Sequence, residues 1–134
     1  FLREAHRCTR DDGWLLLATL GPGTLTELRQ SFTKAGFPVP IPGFHSINVL
    51  HHELSSTNWN IDSYEDRRMR LEHFSVSALL HHLKGLGARH KRPASSETLR
   101  GKTWLQQLEY HYPRDLNNNI ISSWEVVIIK AKKR

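Results

Sequence analysis

Residues 14–28 read WLLLATLGPGTLTEL, and this stretch decides the class of fold. Its first seven residues carry no charge and are too few for a typical helix, so they predict a β-strand that is covered on both faces. The Gly-Pro-Gly at 21–23 then turns the chain, and Thr24 with Glu27 has the spacing of a capping box that opens a helix. Strand, glycine turn and helix in this order indicate an α/β fold.

A second apolar run, at 124–129, is rich in β-branched residues and predicts a central strand. Between the two runs, residues 58–72 alternate apolar and polar side chains around a charged segment, which predicts an interrupted or edge strand. Apolar residues at helical spacing predict helices from about Ile47 and from about Ser75. The helix from Ser75 should close on glycines in a left-handed conformation. The residues that this helix is expected to bury are Val76, Leu79, Leu80, Leu83 and Leu86.

Composition limits the class of protein. With 134 residues, 38% of them hydrophobic and 24% charged, the sequence predicts one soluble globular domain. The formal charge of +6 favours anionic partners such as nucleic acid, an anionic membrane or an acidic protein. No run reaches the roughly 18 apolar residues of a membrane span, so we expect a cytoplasmic protein. Because the chain begins with Phe1 and not with methionine, it is expected to be a fragment.

Three sequence features resemble binding or catalytic sites, but each is better explained by a role in the fold. The Gly-Pro-Gly at 21–23 lacks the third glycine of GxGxxG and the lysine of a P-loop, so a simple turn is favoured over a phosphate site. The pairs His51–His52 and His81–His82 are adjacent on helices, where neighbours point about 100° apart, so no metal site is expected. Cys8 is the one cysteine, which excludes an intramolecular disulfide; we expect a partly buried structural thiol.

Basic residues form two local clusters, and each is a candidate contact for an anion. The first cluster is Arg67, Arg68 and Arg70, and the second, at 89–92, directly follows the glycines that end a predicted helix. Glycine lets the backbone approach a ligand closely, which favours the second cluster. The same clusters are compatible with an alternative function, in which the chain is a basic module that binds nucleic acid or another acidic partner.

The stretch Leu83–Ala88, LKGLGA, resembles the LKGIGA signature of the biotin-synthesis methyltransferases, which methylate the free carboxyl of malonyl-acyl carrier protein. Residues 2–7, 13–20 and 23–28 resemble that family's LRE, TL and G(S/T)L.EL segments. Thr103–Leu105, Tyr112-Pro113 and the final apolar run follow in the family's order, so the resemblance covers nearly the whole chain.

This resemblance implies the C-terminal half of a Rossmann-like methyltransferase sheet of the α/β class. Residues 1–134 would supply its last three strands, the final one antiparallel, with a helical insertion that covers the substrate. The sixth strand and this insertion would occupy about 60–113 and the final strand 120–131. S-adenosylmethionine would be bound by the missing half, so the fragment is expected to be inactive alone.

The resemblance also implies an acidic partner, acyl carrier protein. The residues expected to contact the substrate are Lys84, Gly85, Gly87 and Arg89. The residues expected to contact the carrier are Arg67, Arg68, Arg70, Lys91 and Arg92. Nucleic acid is the less favoured partner, because Trp14, Trp104 and Trp124 lie in apolar runs and few aromatics remain for base stacking. A methyltransferase of this fold with another substrate, and a homo-oligomer formed through an exposed sheet edge, stay open.

Overall fold

The computed structural model describes residues 1–86 and 102–134. Within them the chain forms five helices and three strands. The helices are α1 (Leu2–Cys8), α2 (Thr26–Lys34), α3 (Ile47–Ser56), α4 (Val76–Gly85) and α5 (Lys102–His111). The strands are β1 (Trp14–Leu20), β2 (Trp59–His73) and β3 (Ile120–Lys133). None of the helices in these two ranges is long and apolar enough to span a membrane.

The three strands form one sheet in the order β1-β3-β2. β3 is antiparallel to β1, with Trp14 opposite Lys132 and Leu20 opposite Val126. β3 is also antiparallel to β2. Asp62, near the start of β2, contacts Lys130, near the end of β3, and His73, at the end of β2, contacts Ser122, near the start of β3. The predictions of an α/β fold, of an antiparallel final strand and of an edge strand near residues 58–72 are therefore confirmed. β2 is continuous and not interrupted.

The first of two compact units comprises Phe1–Thr24, Gly43–Met69 and Trp124–Arg134. Its core lies on one face of the sheet, beneath α1 and α3. Trp59 is fully buried there; its indole Nε1 donates to the Leu2 carbonyl at 3.2 Å, and its ring meets the His6 ring edge-on at 5.4 Å. The buried members of this core are Leu50, Leu54, Trp59, Val127, Ile129 and Ala131.

The opposite face of the sheet in this unit is open. Leu16 is 73% exposed and Trp14 is 50% exposed, whereas Leu15 and Leu17 point into the core. Successive side chains of a strand point to opposite faces, and within the described residues α1 and α3 cover one face alone. The expectation that β1 is covered on both faces is therefore wrong for this chain. Lys130 lies 4.1 Å from the centre of the Trp14 ring on the open face.

The second compact unit comprises Leu25–Pro42 and Arg70–Ser123. Its helix α2 buries Leu28 and Phe32, and α5 buries Leu108 against it. The Ser31 hydroxyl donates to the Leu108 carbonyl at 2.7 Å, which satisfies a fully buried polar side chain. The Tyr112 hydroxyl donates to the Ile121 carbonyl at 2.7 Å, and burial raises the pKa of this phenol, with a smaller effect from the charge of Glu27.

Helix α4 is fixed at its N-terminus by two side chains. The Ser75 hydroxyl accepts the Ala78 N–H at 3.1 Å, and a Glu109 carboxylate oxygen accepts the Val76 N–H at 2.8 Å. The helix buries Val76, Leu79 and Leu83 as predicted. Leu86 is 61% exposed, so its predicted burial is wrong: the helix has ended at Gly85 and Leu86 no longer lies on the buried stripe.

His73, the last residue of β2, joins three elements of the second unit. Its Nε2 lies 2.8 Å from the hydroxyl of Ser122, which is fully buried in β3, and its ring centre lies 5.8 Å from that of His82 in α4. Burial lowers the pKa of His73 below its ordinary value of 6.5, and the charge of His82 adds to this effect. The folded chain therefore favours the neutral imidazole.

The buried leucine of α3 provides a test of the first unit's core. Replacing Leu54 with Ala removes a fully buried side chain and should lower the free energy of unfolding by about 2–5 kcal/mol. Val49 lies on the same helix and is 41% exposed, so Val49→Ala is the matched control and should have a much smaller effect. Urea denaturation followed by circular dichroism measures both. Equal losses would contradict the placement of the core.

His73 predicts a pH dependence of stability. Because its pKa is lowered in the folded state, the unfolded chain binds more protons near pH 6.5, and the free energy of unfolding should increase as the pH rises through this range. His73→Gln keeps a hydrogen-bonding group beside Ser122 and should reduce this slope. The exposed His51 offers the control, since His51→Gln should leave the slope as it is. Denaturation between pH 5 and 8 provides the measurement, and an unchanged slope in His73→Gln would refute the assignment.

Candidate functional site

The loop that follows β1 is bound to β3 through one residue, Glu125. The Gly21 N–H donates to the Glu125 carbonyl at 2.8 Å, and the Gly23 N–H donates to the Glu125 carboxylate. The Thr24 hydroxyl completes the attachment, because it contacts the carbonyl of Glu125 at 3.2 Å and accepts its N–H at 3.1 Å. The loop is therefore held at the end of β1 by both the main chain and the side chain of β3.

Both glycines of this loop leave room for the side chain of Glu125. A Cβ atom at Gly21 would lie 2.6 Å from the Glu125 carboxyl carbon, and one at Gly23 would lie 2.5 Å from a carboxylate oxygen. The carboxylate also takes the Gly23 amide that a phosphate would use in a phosphate-binding loop. This geometry supports the interpretation of residues 21–23 as a strand-to-helix turn.

A second carboxylate, Glu27, binds β3 in the second unit. Glu27 accepts the Ser123 N–H at 3.0 Å and also the Ser123 hydroxyl. The helix α2 begins at Thr26, and its N-cap is Leu25, whose φ of 56° is left-handed and uncommon for a branched residue. The predicted capping box of Thr24 and Glu27 is therefore wrong, because both side chains bind β3 and not the first turn of the helix.

The end of α4 carries the described part of the predicted substrate contact. Lys84 is exposed in the last turn, and the space beside Gly85 is open, since a Cβ added there would meet nothing within 4 Å. The helix ends at Gly85 and its C-cap is Leu86, with φ of −78°. Neither residue has a positive φ, so the predicted left-handed closure does not occur at Gly85. Gly87, Arg89, Lys91 and Arg92 lie outside the described residues.

The first basic cluster is exposed on β2 and is divided between two faces of the strand. Arg67 pairs with Glu65 at 2.8 Å on one face. Arg68 and Arg70 lie on the other face, because side chains alternate along a strand, and neither has an ion pair with any residue in the described ranges. The cluster that appears continuous in sequence is therefore two different surfaces.

The remaining candidates, the histidine pairs and Cys8, do not form a binding or catalytic arrangement among the described residues. His51, His52, His81 and His82 are exposed on their helices. Among residues 1–86 and 102–134, no group of three or more His, Cys, Asp or Glu side chains is arranged to hold a metal ion. Cys8 is exposed, so the expectation of a partly buried thiol is wrong; it ends the short helix α1, whose residues are all accessible.

Sequence reasoning missed the residues that fix the geometry here, which are Glu27, Glu125 and His73. Glu125 gave a signal, since it is the one charged residue within the apolar run at 124–129. A carboxylate in such a strand requires a polar partner, because burial of an unpaired charge is costly. The spacing of Glu27 from Thr24 predicted a bond to the first turn of α2, whereas Glu27 binds Ser123 of β3. No sequence pattern pointed to His73.

Comparison with known proteins returned sequence relatives and solved structures, while no family model matches the chain. A malonyl-[acyl-carrier protein] O-methyltransferase of Laribacter hongkongensis is 31% identical over 94% of the chain and 43% of its own length. One from Coxiella burnetii is 34% identical over 94% of the chain and 45% of its own length. The biotin biosynthesis bifunctional protein BioHC of Teredinibacter turnerae is 27% identical over 97% of the chain and 23% of its own length.

One of the solved structures is a Bacillus halodurans protein described as a methyltransferase. It superimposes with a TM-score of 0.51 at 9% identity, covering 98% of the chain and 56% of that protein. This likeness identifies the fold alone. The chain spans less than half the length of the curated relatives described above, and the matched portion is their C-terminal half. Along almost its entire length, the chain is similar to the C-terminal half of the malonyl-[acyl-carrier protein] O-methyltransferases, and its fold is that of part of a Rossmann-like methyltransferase.

Proposed function

We propose that this chain is the C-terminal, substrate-side part of an S-adenosylmethionine-dependent methyltransferase that methylates the free carboxyl of malonyl-acyl carrier protein in biotin synthesis. The observation that carries the proposal is similarity to enzymes of that name over more than nine-tenths of the chain. The antiparallel final strand supports it, because the resemblance implies such a strand at the end of the sheet. A cytoplasmic location belongs to the same proposal.

The reaction requires that the substrate carboxylate be positioned correctly, and it does not require a side chain that transfers a proton. The carboxyl of a malonyl group is ionised at neutral pH and is itself a nucleophile, so no side chain has to remove a proton. Orientation of the reacting groups and balance of charge then supply most of the catalysis. Exposed cations near an open backbone suit that role, which is the arrangement of Lys84 and Gly85 at the end of α4.

In our proposal S-adenosylmethionine is bound outside the described residues. The loop at 21–24 follows the carboxyl end of β1, a position where open α/β sheets bind ligands. Its Gly23 amide already donates to Glu125, and the carboxylate fills the space beside both glycines. We therefore assign substrate positioning to this chain and donor binding to another part of the enzyme.

The sheet has an unpaired edge and an uncovered face against which the donor-binding part of the enzyme could pack. Within the described residues β1 lies at one edge of the sheet, and Leu16 on its open face is 73% exposed. A groove between α1, β1 and α3, lined in part by Leu2, Leu17 and Leu50, runs along the opposite face. An unpaired edge and an uncovered apolar face are costly to leave in water. In our proposal a donor-binding half covers them.

Substrate contact is proposed for the segment that contains the end of α4. Lys84, Gly85, Gly87 and Arg89 would border the malonyl thioester, within an insertion at about 60–113 that covers the substrate. Arg89 is the first candidate for a direct contact, because a guanidinium binds a carboxylate or phosphate through two parallel hydrogen bonds.

Carrier contact is proposed for two sets of basic residues. Lys91 and Arg92 follow the substrate segment directly, and the β2 residues are Arg67, Arg68 and Arg70. Of these three, Arg68 and Arg70 are the stronger candidates, because the guanidinium of Arg67 already pairs with Glu65. Acyl carrier protein is acidic, so exposed arginines would increase its rate of association.

A split-enzyme experiment tests the proposal. The 134-residue chain alone should not methylate malonyl-acyl carrier protein, whereas co-expression with the N-terminal half of the Coxiella burnetii relative should give methyl transfer from labelled S-adenosylmethionine. Leu16→Asp places a charge on the open face and should reduce this activity at least about tenfold. Leu116 is fully exposed, so Leu116→Asp is the matched control. Equal effects of both variants would contradict docking on this face, and no activity with any donor-binding half would contradict the function.

The role of Arg89 predicts a selective kinetic change in the active enzyme. Arg89→Ala should raise the KM for malonyl-acyl carrier protein by about 10- to 100-fold, the effect of losing hydrogen bonds to a charged group. Lys34→Ala on α2 serves as the control and should leave KM unchanged. An unchanged KM in Arg89→Ala at all salt concentrations would remove this role. A salt-dependent gel shift with generic DNA, without saturable binding to the carrier, would support the nucleic-acid alternative.

A further inference from the structure

The free edge of β2 has a charge pattern that suits a second copy of itself. Within the described residues β2 has a neighbour, β3, on one side only, and nearly all of its 15 residues are exposed. Its first half carries Asp62, Glu65 and Asp66, and its second half carries Arg67, Arg68 and Arg70, with Glu72 close to the end of the strand. An unpaired edge of this length is a template for another strand, because its main-chain N–H and C=O groups lack partners.

The simplest interpretation of edge charges is that they prevent pairing. That protection depends on like charges, which repel any copy that approaches. Over residues 62–70 of β2 the acidic side chains come first and the basic ones second, and Glu72 lies beyond them. Two such strands repel when they are parallel, but they attract when they are antiparallel, because each acidic half then meets a basic half.

We propose that two copies of this chain associate through antiparallel pairing of their β2 edges, with Asp66 of one copy opposite Asp66 of the other. This register places Glu65 opposite Arg67 of the second copy, twice by symmetry. It also places Tyr64 opposite Arg68 and the 39%-exposed Leu71 opposite Ile61. Each of these pairs is a favourable cross-strand combination.

Both neighbouring registers lose the two Glu65–Arg67 pairs, because an axis at Glu65 places Arg67 opposite Ser63 and an axis at Arg67 places Glu65 opposite Met69. Moving the symmetry axis by one residue, to Arg67, places Arg67 opposite itself and Asp62 opposite Glu72. In the proposed register the one like-charged pair is Asp66 with its copy. The Glu65–Arg67 ion pair within each strand, at 2.8 Å, becomes part of a four-charge cluster that alternates in sign. The interface does not depend on the proposed enzymatic function.

Charge reversal tests the pairing. Analytical ultracentrifugation of the 134-residue chain should show a concentration-dependent monomer–dimer equilibrium. Glu65→Arg creates four positive charges at the interface and Arg67→Glu creates four negative ones, so each should raise the dimer dissociation constant about tenfold. An equimolar mixture of the two variants should restore association, because the mixed dimer is complementary. Arg3→Glu, on α1, is the control and should not change the equilibrium.

Cysteine cross-linking tests the register without reversing a charge. Residues directly opposite in an antiparallel pair have Cα atoms about 4.5–5.5 Å apart, a separation that a disulfide spans. In a Cys8→Ser background, Asp66→Cys should therefore form a covalent dimer under mild oxidation, and Ser63→Cys should not. Circular dichroism confirms that each variant is folded. A monomer at all concentrations, no association on mixing, or equal cross-linking at positions 63 and 66 would each overturn the proposal.

Discussion

The structure depends on β3 having a strand on each side. Its backbone groups are paired with β1 over Val126–Lys132 and with β2 on the opposite edge, so within the described residues this central strand exposes no edge of its own. Its alternate residues Val127, Ile129 and Ala131 then form the floor of the first unit's core. Without that central position, neither β1 nor β2 would have a partner within the described residues.

The same strand determines the geometry of the loop and helix that follow β1. Glu125 holds Gly21 and Gly23, and Ser123 holds Glu27, so two carboxylate contacts join β3 to residues about a hundred positions away. The loop can approach so closely because its glycines lack a Cβ atom. This attachment holds the loop against β3 and occupies the amide of Gly23.

The fold was predictable from sequence wherever a local pattern decided the structure. The uncharged run at 14–20 and the β-branched run at 124–129 gave both paired strands, and Ser75 with the apolar stripe that follows it gave α4. Local rules failed where a distant partner competed. Thr24 and Glu27 have the spacing of a capping box, yet both bind β3, because tertiary hydrogen bonds replaced the local ones. The exposure of Leu16 was also unpredictable, since a run of leucines does not reveal how many faces of its strand are covered.

The candidate site was predictable to a smaller extent. The positions of Lys84 and Gly85 at the end of a helix followed from the apolar spacing before them. The division of the β2 arginines followed from the two-residue period of a strand, once residues 59–73 were known to be one continuous strand. His73 could not have been found, because a single histidine at a strand end becomes informative only when Ser122 and His82 are seen beside it.

The contact between Lys130 and Trp14 gives the open face an optical signal of its own. The ammonium group lies 4.1 Å from the centre of a half-exposed indole, whereas Trp59 is enclosed in the core. A cation and water beside an indole ring change the energy of its excited state, so the emission of Trp14 responds to whatever replaces them. When the other two tryptophans, Trp104 and Trp124, are replaced by Phe, fluorescence from Trp14 therefore reports when the uncovered side of the sheet acquires a neighbour, while the enclosed Trp59 provides a steady reference.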